Sequence, residues 1–188
     1  MRVIAGQFKG KKILEPRDKT TRPLKNLVKE SIFNIIIHSK KISVKINKSN
    51  ILDLFSGVGS FGLEALSRGS SQVTFVENYP NVIKVLRDNI NNLDVNQSCR
   101  VIEKNINKDL NFKEINCKFD IIFLDPPYKF LNINMLMNKI YESKILKKDN
   151  LIILHRHRKD NSISYERFNL LEEKTYGISK IIFGNYLK

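Results

Sequence analysis

The sequence predicts an α/β fold built on a mainly parallel sheet, and three observations carry that reading. Short apolar runs of strand length alternate with segments of helical periodicity from residue 50 to residue 154. One of those runs, FDIIFL at 119–124, is apolar but for Asp120 and reads as the fourth strand. A turn carrying three glycines, Gly57, Gly59 and Gly62, joins the first core strand to the helix after it. At 188 residues, 41% hydrophobic and 28% charged, the chain is long enough for one packed core and short for two, and disorder throughout is excluded.

The elements follow in order. Residues 2–5 and 11–14 flank the sequence GQFKG and read as a small hairpin. Pro23 opens a helix whose apolar positions Leu24, Leu27, Val28, Ile32, Ile35 and Ile36 fall on one face. A polar connector at 40–50 leads to strand one (50–54), a helix (60–68), strand two (72–76), a helix (81–91) and strand three (99–103). Strand four (119–124), a helix (135–143) and strand five (151–154) complete the repeat. Two further strands, 164–171 and 178–183, joined through a turn at Gly177, form an antiparallel pair that closes the sheet. The one candidate boundary lies near residue 45 and separates a basic extension, 1–45, from a core domain, 46–188.

The net charge of +14 is unevenly spread. Residues 1–50 hold 13 Lys and Arg against 3 Asp and Glu, residues 51–140 hold 10 of each, and residues 141–188 hold 10 against 6. Uniform codon bias toward lysine spreads charge evenly, so the concentration in the first quarter points to a polyanion. The residues concerned are Arg2, Lys9, Lys11, Lys12, Arg17, Lys19, Arg22, Lys25 and Lys29, then Lys40, Lys41, Lys45 and Lys48. With no tyrosine among those loops, the segment reads as tracking phosphates rather than bases. No apolar run reaches membrane-spanning length and the N-terminus lacks the apolar stretch of a signal peptide, so a cytoplasmic protein is expected. Cys99, in a strand, and Cys117, in a loop, are too far apart for a CxxC clip and read as packed thiols.

Two motifs carry chemistry. In DLFSGVGSFG the glycines permit a left-handed turn and close approach of a ligand, and Glu77 lies near the end of strand two, where a carboxylate can accept the hydroxyls of a ribose. Asp53 stands only a few residues before Gly57. An acid is unwelcome beside a pyrophosphate and welcome beside an ammonium, which favours the methionine end of S-adenosylmethionine over a dinucleotide. The second motif ends strand four: Asp125-Pro126-Pro127-Tyr128. Two prolines fix two φ angles and remove two donors, leaving a rigid loop of acceptors suited to an exocyclic amine. The Asp125 carboxylate and Pro126 carbonyl would draw the amine lone pair out of conjugation, and Tyr128 would stack on the base. An in-line attack on a sulfonium methyl follows, catalysed by positioning and electrostatics, on a nucleotide flipped out or already unpaired.

Taken together, MRVIAGQFKGKKI, TRPLKNLVKESIFN, ILDLFSGVGSFGLEALSRG, VTFVEN and DIIFLDPPY resemble the RsmD-type bacterial 16S rRNA guanine-N2 methyltransferases. The resemblance implies a Rossmann-like class I S-adenosylmethionine-dependent methyltransferase: a seven-stranded, mainly parallel sheet with an antiparallel last strand and a small N-terminal hairpin and helix extension. It implies as substrate one guanine, conventionally position 966, in 16S rRNA of an assembling small ribosomal subunit. By position, Asp53, Gly57 and Gly59 would hold the donor's methionine end, Glu77 its ribose and Asn105 would lie near its adenine. Asp125, Pro126 and Tyr128 would form the amine site. Arg22, Glu30 and Asn34 match family positions in the segment that would cap the donor or meet RNA, and Arg22 joins Lys9, Lys11 and Lys12, which the charge of the basic extension selects, as the residues expected to meet RNA. The chain departs from the family at Leu24, Lys25, Asn26 and Lys29, and it has His155 and Arg156 where an acid is expected after strand five. His155 and His157 can share a strand face, but two histidines without an acidic third ligand make a poor metal site, and no metal is expected. A monomer is expected. DNA adenine-N6 methylation uses the same amine chemistry but lacks a separate recognition domain here; a non-catalytic rRNA-binding factor fits poorly with an intact DPPY.

Overall fold

The computed structural model describes residues 1–16, 24–164 and 166–186; Arg22, expected to meet RNA, lies outside them, as do Arg17, Lys19 and Pro23. Seven strands form one sheet in the order β3-β2-β1-β4-β5-β7-β6. They are β1 (Asn50–Leu54), β2 (Gln72–Glu77), β3 (Cys99–Glu103), β4 (Phe119–Leu124), β5 (Leu146–His157), β6 (Asn169–Tyr176) and β7 (Ser179–Asn185). The first five run parallel; β7 pairs antiparallel with both β5 and β6. Among the described residues there are four α-helices: α1 (Asn26–His38), which precedes β1, and α2 (Ser60–Ser67), α3 (Pro80–Asn92) and α4 (Ile133–Ser143), which connect strands.

Strand alternation splits the core into two layers. Ile51, Phe123, Ile153 and Ile181 face α1, α2 and α3, whereas Leu52, Ile122, Leu154 and Ile182 face α4. On the first side Phe33 of α1, Phe61 of α2 and Phe123 of β4 form a stack with ring centroids 5.1 and 4.0 Å apart. Spatial order reverses between β1 and β4, because β2 and β3 lie to one side and β5 to the other. At such a reversal the connections leave the strand ends in opposite directions and open a crevice.

The N-terminal segment is stapled to this core by buried polar side chains. The expected hairpin forms as a short antiparallel pairing: Arg2 bridges Lys12, Ile13 N donates to Met1 O, Val3 N to Lys11 O and Gly10 N to Val3 O. Glu64 of α2, fully buried, accepts hydrogen bonds from Ile4 N (2.7 Å) and Ala5 N (3.0 Å) and pairs with Arg68 (2.8 Å) and Lys29 (3.4 Å). Ser67 Oγ accepts from Phe8 N, and Asn89 of α3 bonds both the N–H and the carbonyl of Leu14. Lys29 is therefore no part of a polyanion-facing surface. Its side chain is 0% exposed, donates to the Arg2 carbonyl and neutralises Glu64. Counting charges along a sequence cannot separate a lysine buried beside a glutamate from one in solvent.

Several predicted boundaries move. Leu27 is 67% exposed and leaves the helix face that Phe33 and Lys29 share with Val28, Ile32 and Ile36. The fifth strand extends outward from the apolar 151–154 to Leu146–His157, because Leu146 already pairs with Phe119 and Lys147 reaches Asp120 at 2.8 Å. The strand expected at 164–171 lies at Asn169–Tyr176 instead. That edge strand is largely exposed, so it has no apolar run to announce it. Gly177 does turn the chain into β7, at φ +59°.

Candidate active site

The crevice at the carboxyl ends of β1 and β4 holds a cavity of about 490 Å³. Asp53, Gly57, Glu77, Asp125, Pro126 and Tyr128 all line it, bringing six of the sequence-selected residues together. Gly59, Asn105, Lys9, Lys11 and Lys12 do not. Pro16 and Leu24 contribute to the wall as well.

The glycine turn divides its labour in a way that GxGxxG alone does not reveal. Gly57, at φ +55°, has open space where a side chain would stand and forms the ligand-facing part. Gly59 caps α2 in the left-handed region, and a Cβ there would meet Leu86 at 2.5 Å. At Gly62 a Cβ would meet Phe75 at 2.4 Å. The missing side chains of these last two make room for the packing of α2 against α3 and β2. Phe55, the residue that leaves β1, also has φ +59°, a strained value for a non-glycine, and its ring packs edge-on against Phe130 at 5.1 Å.

Asp53 is 1% exposed. Its Oδ2 accepts from Gly62 N at 3.1 Å, and its Oδ1 is buried with no hydrogen-bond partner among the described residues. Burial pushes this carboxyl well above the usual carboxylate range, opposed by the Gly62 N–H and aided by the negative charges of Asp125 and Glu77. An orphaned buried carboxylate oxygen on a cavity wall is a place for a cationic donor. Glu77 behaves differently: Oε2 accepts from Gly57 N (2.9 Å), and Oε1 from Asn78 N (2.8 Å) and Tyr79 N (3.1 Å). It pins the glycine turn, and one lone pair on Oε2 is left over for a ligand hydroxyl. Asn105 caps its own turn after β3, accepting from Asn107 N at 2.9 Å.

The DPPY turn is held on several sides. Asp125 N donates to Leu54 O, and Phe130 N and Arg156 Nη1 both donate to the Pro127 carbonyl. The Pro126 carbonyl accepts no hydrogen bond among the described residues. Arg156, 2% exposed, also donates to Phe130 O at 2.9 Å and pairs with Asp160. Its neighbour His155 meets Asp125 Oδ1 at 2.7 Å. Both lie inside β5 rather than after it, and sequence reasoning assigns neither to the site; the only signal they give is their polarity within an apolar strand. The Tyr128 ring stands edge-on to His155 and His157, at 5.9 and 5.1 Å. Among the described residues no group of His, Cys, Asp and Glu could hold a metal ion, and no helix is long and apolar enough to cross a membrane. Burial raises the Cys99 thiol to about 12, which makes it unreactive.

A family model described as conserved hypothetical protein 95 matches residues 1–185. The ribosomal RNA small subunit methyltransferase D of Haemophilus influenzae is 34% identical over 95% of this chain and 90% of its own length. A putative rRNA methyltransferase of Bacillus subtilis, YlbH, is 31% identical over 96% of each. Among solved structures, a putative methylase of Haemophilus influenzae superposes with a TM-score of 0.78 at 32% identity, covering 100% of this chain and 98% of that one. A putative methyltransferase of Escherichia coli, yhhF, reaches 0.81 at 25% identity with the same coverage.

Proposed function

The chain belongs to the conserved hypothetical protein 95 family, and from that membership and the cavity's chemistry we propose that it is an rRNA methyltransferase using S-adenosylmethionine. The group modified is the exocyclic N2 amine of a guanine in 16S rRNA, the one conventionally numbered 966, within a small ribosomal subunit. The observation that carries this reading is that one cavity holds both the buried Asp53, whose Oδ1 has no hydrogen-bond partner among the described residues, and a DPPY turn whose Pro126 carbonyl and Asp125 Oδ2 accept no hydrogen bond among them. The volume lies in the range of roughly 300–1,000 Å³ usual for small-molecule sites.

When bound, S-adenosylmethionine supplies an electrophilic methyl on a sulfonium. Asp53 faces the ammonium of its methionine end, Gly57 lets the backbone approach, and the spare lone pair of Glu77 takes a ribose hydroxyl. Asp125 and the Pro126 carbonyl each accept one N–H of the guanine amine, restoring lone-pair density to a nitrogen that conjugation has drained. Tyr128 stacks on the base. The amine loses its extra proton to Asp125 or to water, with no covalent enzyme intermediate.

Methyl transfer from labelled donor to small subunits, naked rRNA and duplex DNA tests the reading. Label on small subunits or rRNA, mapped to a guanine N2 by mass spectrometry, is expected; label on DNA alone, or none, overturns it.

Donor binding should release a proton. The raised pKa keeps Asp53 partly protonated above the ordinary carboxylate range, and an adjacent ammonium lowers it, so Asp53 deprotonates on binding in that window. Calorimetry in buffers of different ionisation enthalpy should show a buffer-dependent heat that Asp53→Asn abolishes. A buffer-independent heat would place the ammonium elsewhere.

Lys9, Lys11 and Lys12 are all exposed on the stapled N-terminal segment. Reversing them to Glu should weaken RNA binding and reduce the log–log salt slope by ~0.7–0.9 for each phosphate no longer neutralised. An unchanged slope assigns them to solvent.

A further inference from the structure

We infer that His155 is a positioning residue for Asp125, a role that rests on the reading above and that the resemblance, which implies an acid near this position, does not supply. The parallel register that pairs Leu124 with Leu154 places the next two residues side by side, Asp125 just beyond β4 and His155 within β5 two residues before its end. His155 is 2% exposed and its Nδ1 lies 2.7 Å from Asp125 Oδ1. Asp125 is itself fixed at its backbone by Leu54 O, and its Oδ2 accepts no hydrogen bond among the described residues. One carboxylate oxygen is thus tethered and the other left for the amine.

A free carboxylate rotates about χ2 and spreads its lone pairs over many directions. Tethering Oδ1 through an Nδ1–H donor removes that freedom, so Oδ2 and the rigid Pro126 carbonyl present a fixed pair of acceptors to the two hydrogens of one amine. A displacement of this kind depends on holding the attacking nitrogen in line, and small misplacements of the acceptor reduce rate more than affinity. The same imidazole and that of His157 back the Tyr128 ring, so a single strand end sets both the acceptor and the stacking face. A histidine that merely fills the core would act on folding and on every step alike.

Three measurements separate these cases. His155→Leu should lower kcat about 10–100-fold with the donor Kd and the KM for small subunits within about twofold of wild type. His155→Asn, whose side-chain amide nitrogen stands close to the position of Nδ1, should recover most of that activity. Long-range ¹H–¹⁵N correlation spectra should show the Nδ1–H tautomer at His155 in the wild type and its disappearance in Asp125→Ala. Unchanged kcat in His155→Leu, equal damage to kcat and donor binding in both variants, or a tautomer indifferent to Asp125→Ala would each overturn the role. A wild-type chain that methylates no RNA sinks the functional reading instead, and the imidazole spectrum then still decides whether the hydrogen bond to Asp125 exists.

Discussion

Replacing Asp125 by alanine is expected to lower turnover about 10³-fold, the range for losing a positioned proton acceptor and electrostatic partner, while the donor binds as before. The asymmetry follows from the cavity's layout. Asp53 and Glu77 stand at the ends of β1 and β2 and are held by Gly62 N and by Gly57, Asn78 and Tyr79 N–H groups, none of which involves Asp125. Asp125 lies on β4's end with Pro126 and Tyr128, so its removal empties the amine site and leaves the donor site standing. Removing one negative charge near Asp53 also eases the repulsion that contributes to that group's raised pKa, so donor affinity should hold steady or shift slightly. Single-turnover rates beside calorimetric donor binding decide the matter: equal losses in both would move Asp125 from the amine to the donor.

Glu64→Ala should destabilise the fold by about 3–5 kcal/mol, because it strands a buried charge rather than deleting a surface ion pair. Lys29 would keep only the Arg2 carbonyl, and the N–H groups of Ile4 and Ala5 would be left without their acceptors. In a chain of this length that corresponds to a fall in Tm on the order of 10 °C. Burial already lowers the Lys29 pKa against the pull of Glu64, and removing Glu64 lowers it further. A lysine whose folded pKa is depressed sheds its proton in the folded state first, so the variant regains stability as pH rises through that value toward the ordinary lysine range. Urea titrations across such a pH series should show the deficit shrinking, and the double variant Lys29→Met with Glu64→Gln should lose less than Glu64→Ala alone. A deficit under about 1 kcal/mol would mean that water reaches the site and that the N-terminal segment is held by its apolar side chains, Val3 and Ile13, instead.

Much of the site is legible in the sequence because it is local. Asp125-Pro126-Pro127-Tyr128 is one contiguous turn, and Asp53, Gly57 and Glu77 sit at ends of strands that apolar runs mark clearly. Other assignments fail for physical reasons. Leu27 has the right residue type at a position the helix turns outward, and β6 is an edge strand whose residues are dictated by exposure rather than by burial. Gly59 reads along with Gly57 as part of the donor cradle, and the sequence does not show that its missing side chain, like that of Gly62, also makes room for Leu86 and Phe75. A motif records that a side chain is absent and is silent on what occupies the space.

By itself the sequence determined the α/β class, the parallel core and the two strand-end motifs, since periodicity and turn chemistry act over a few neighbouring residues. The resemblance it carries named the family. Only the tertiary structure decided which charges face solvent and which face each other. Lys29 reaches Glu64 across 35 residues of chain, Asn89 grips Leu14 across 75, and His155 meets Asp125 across 30. Such pairs are set by strand register and helix docking, which bring together groups whose separation along the chain encodes nothing about their distance in space. Burial then amplifies each encounter, because a charge or amide removed from water must find its partner within hydrogen-bond reach.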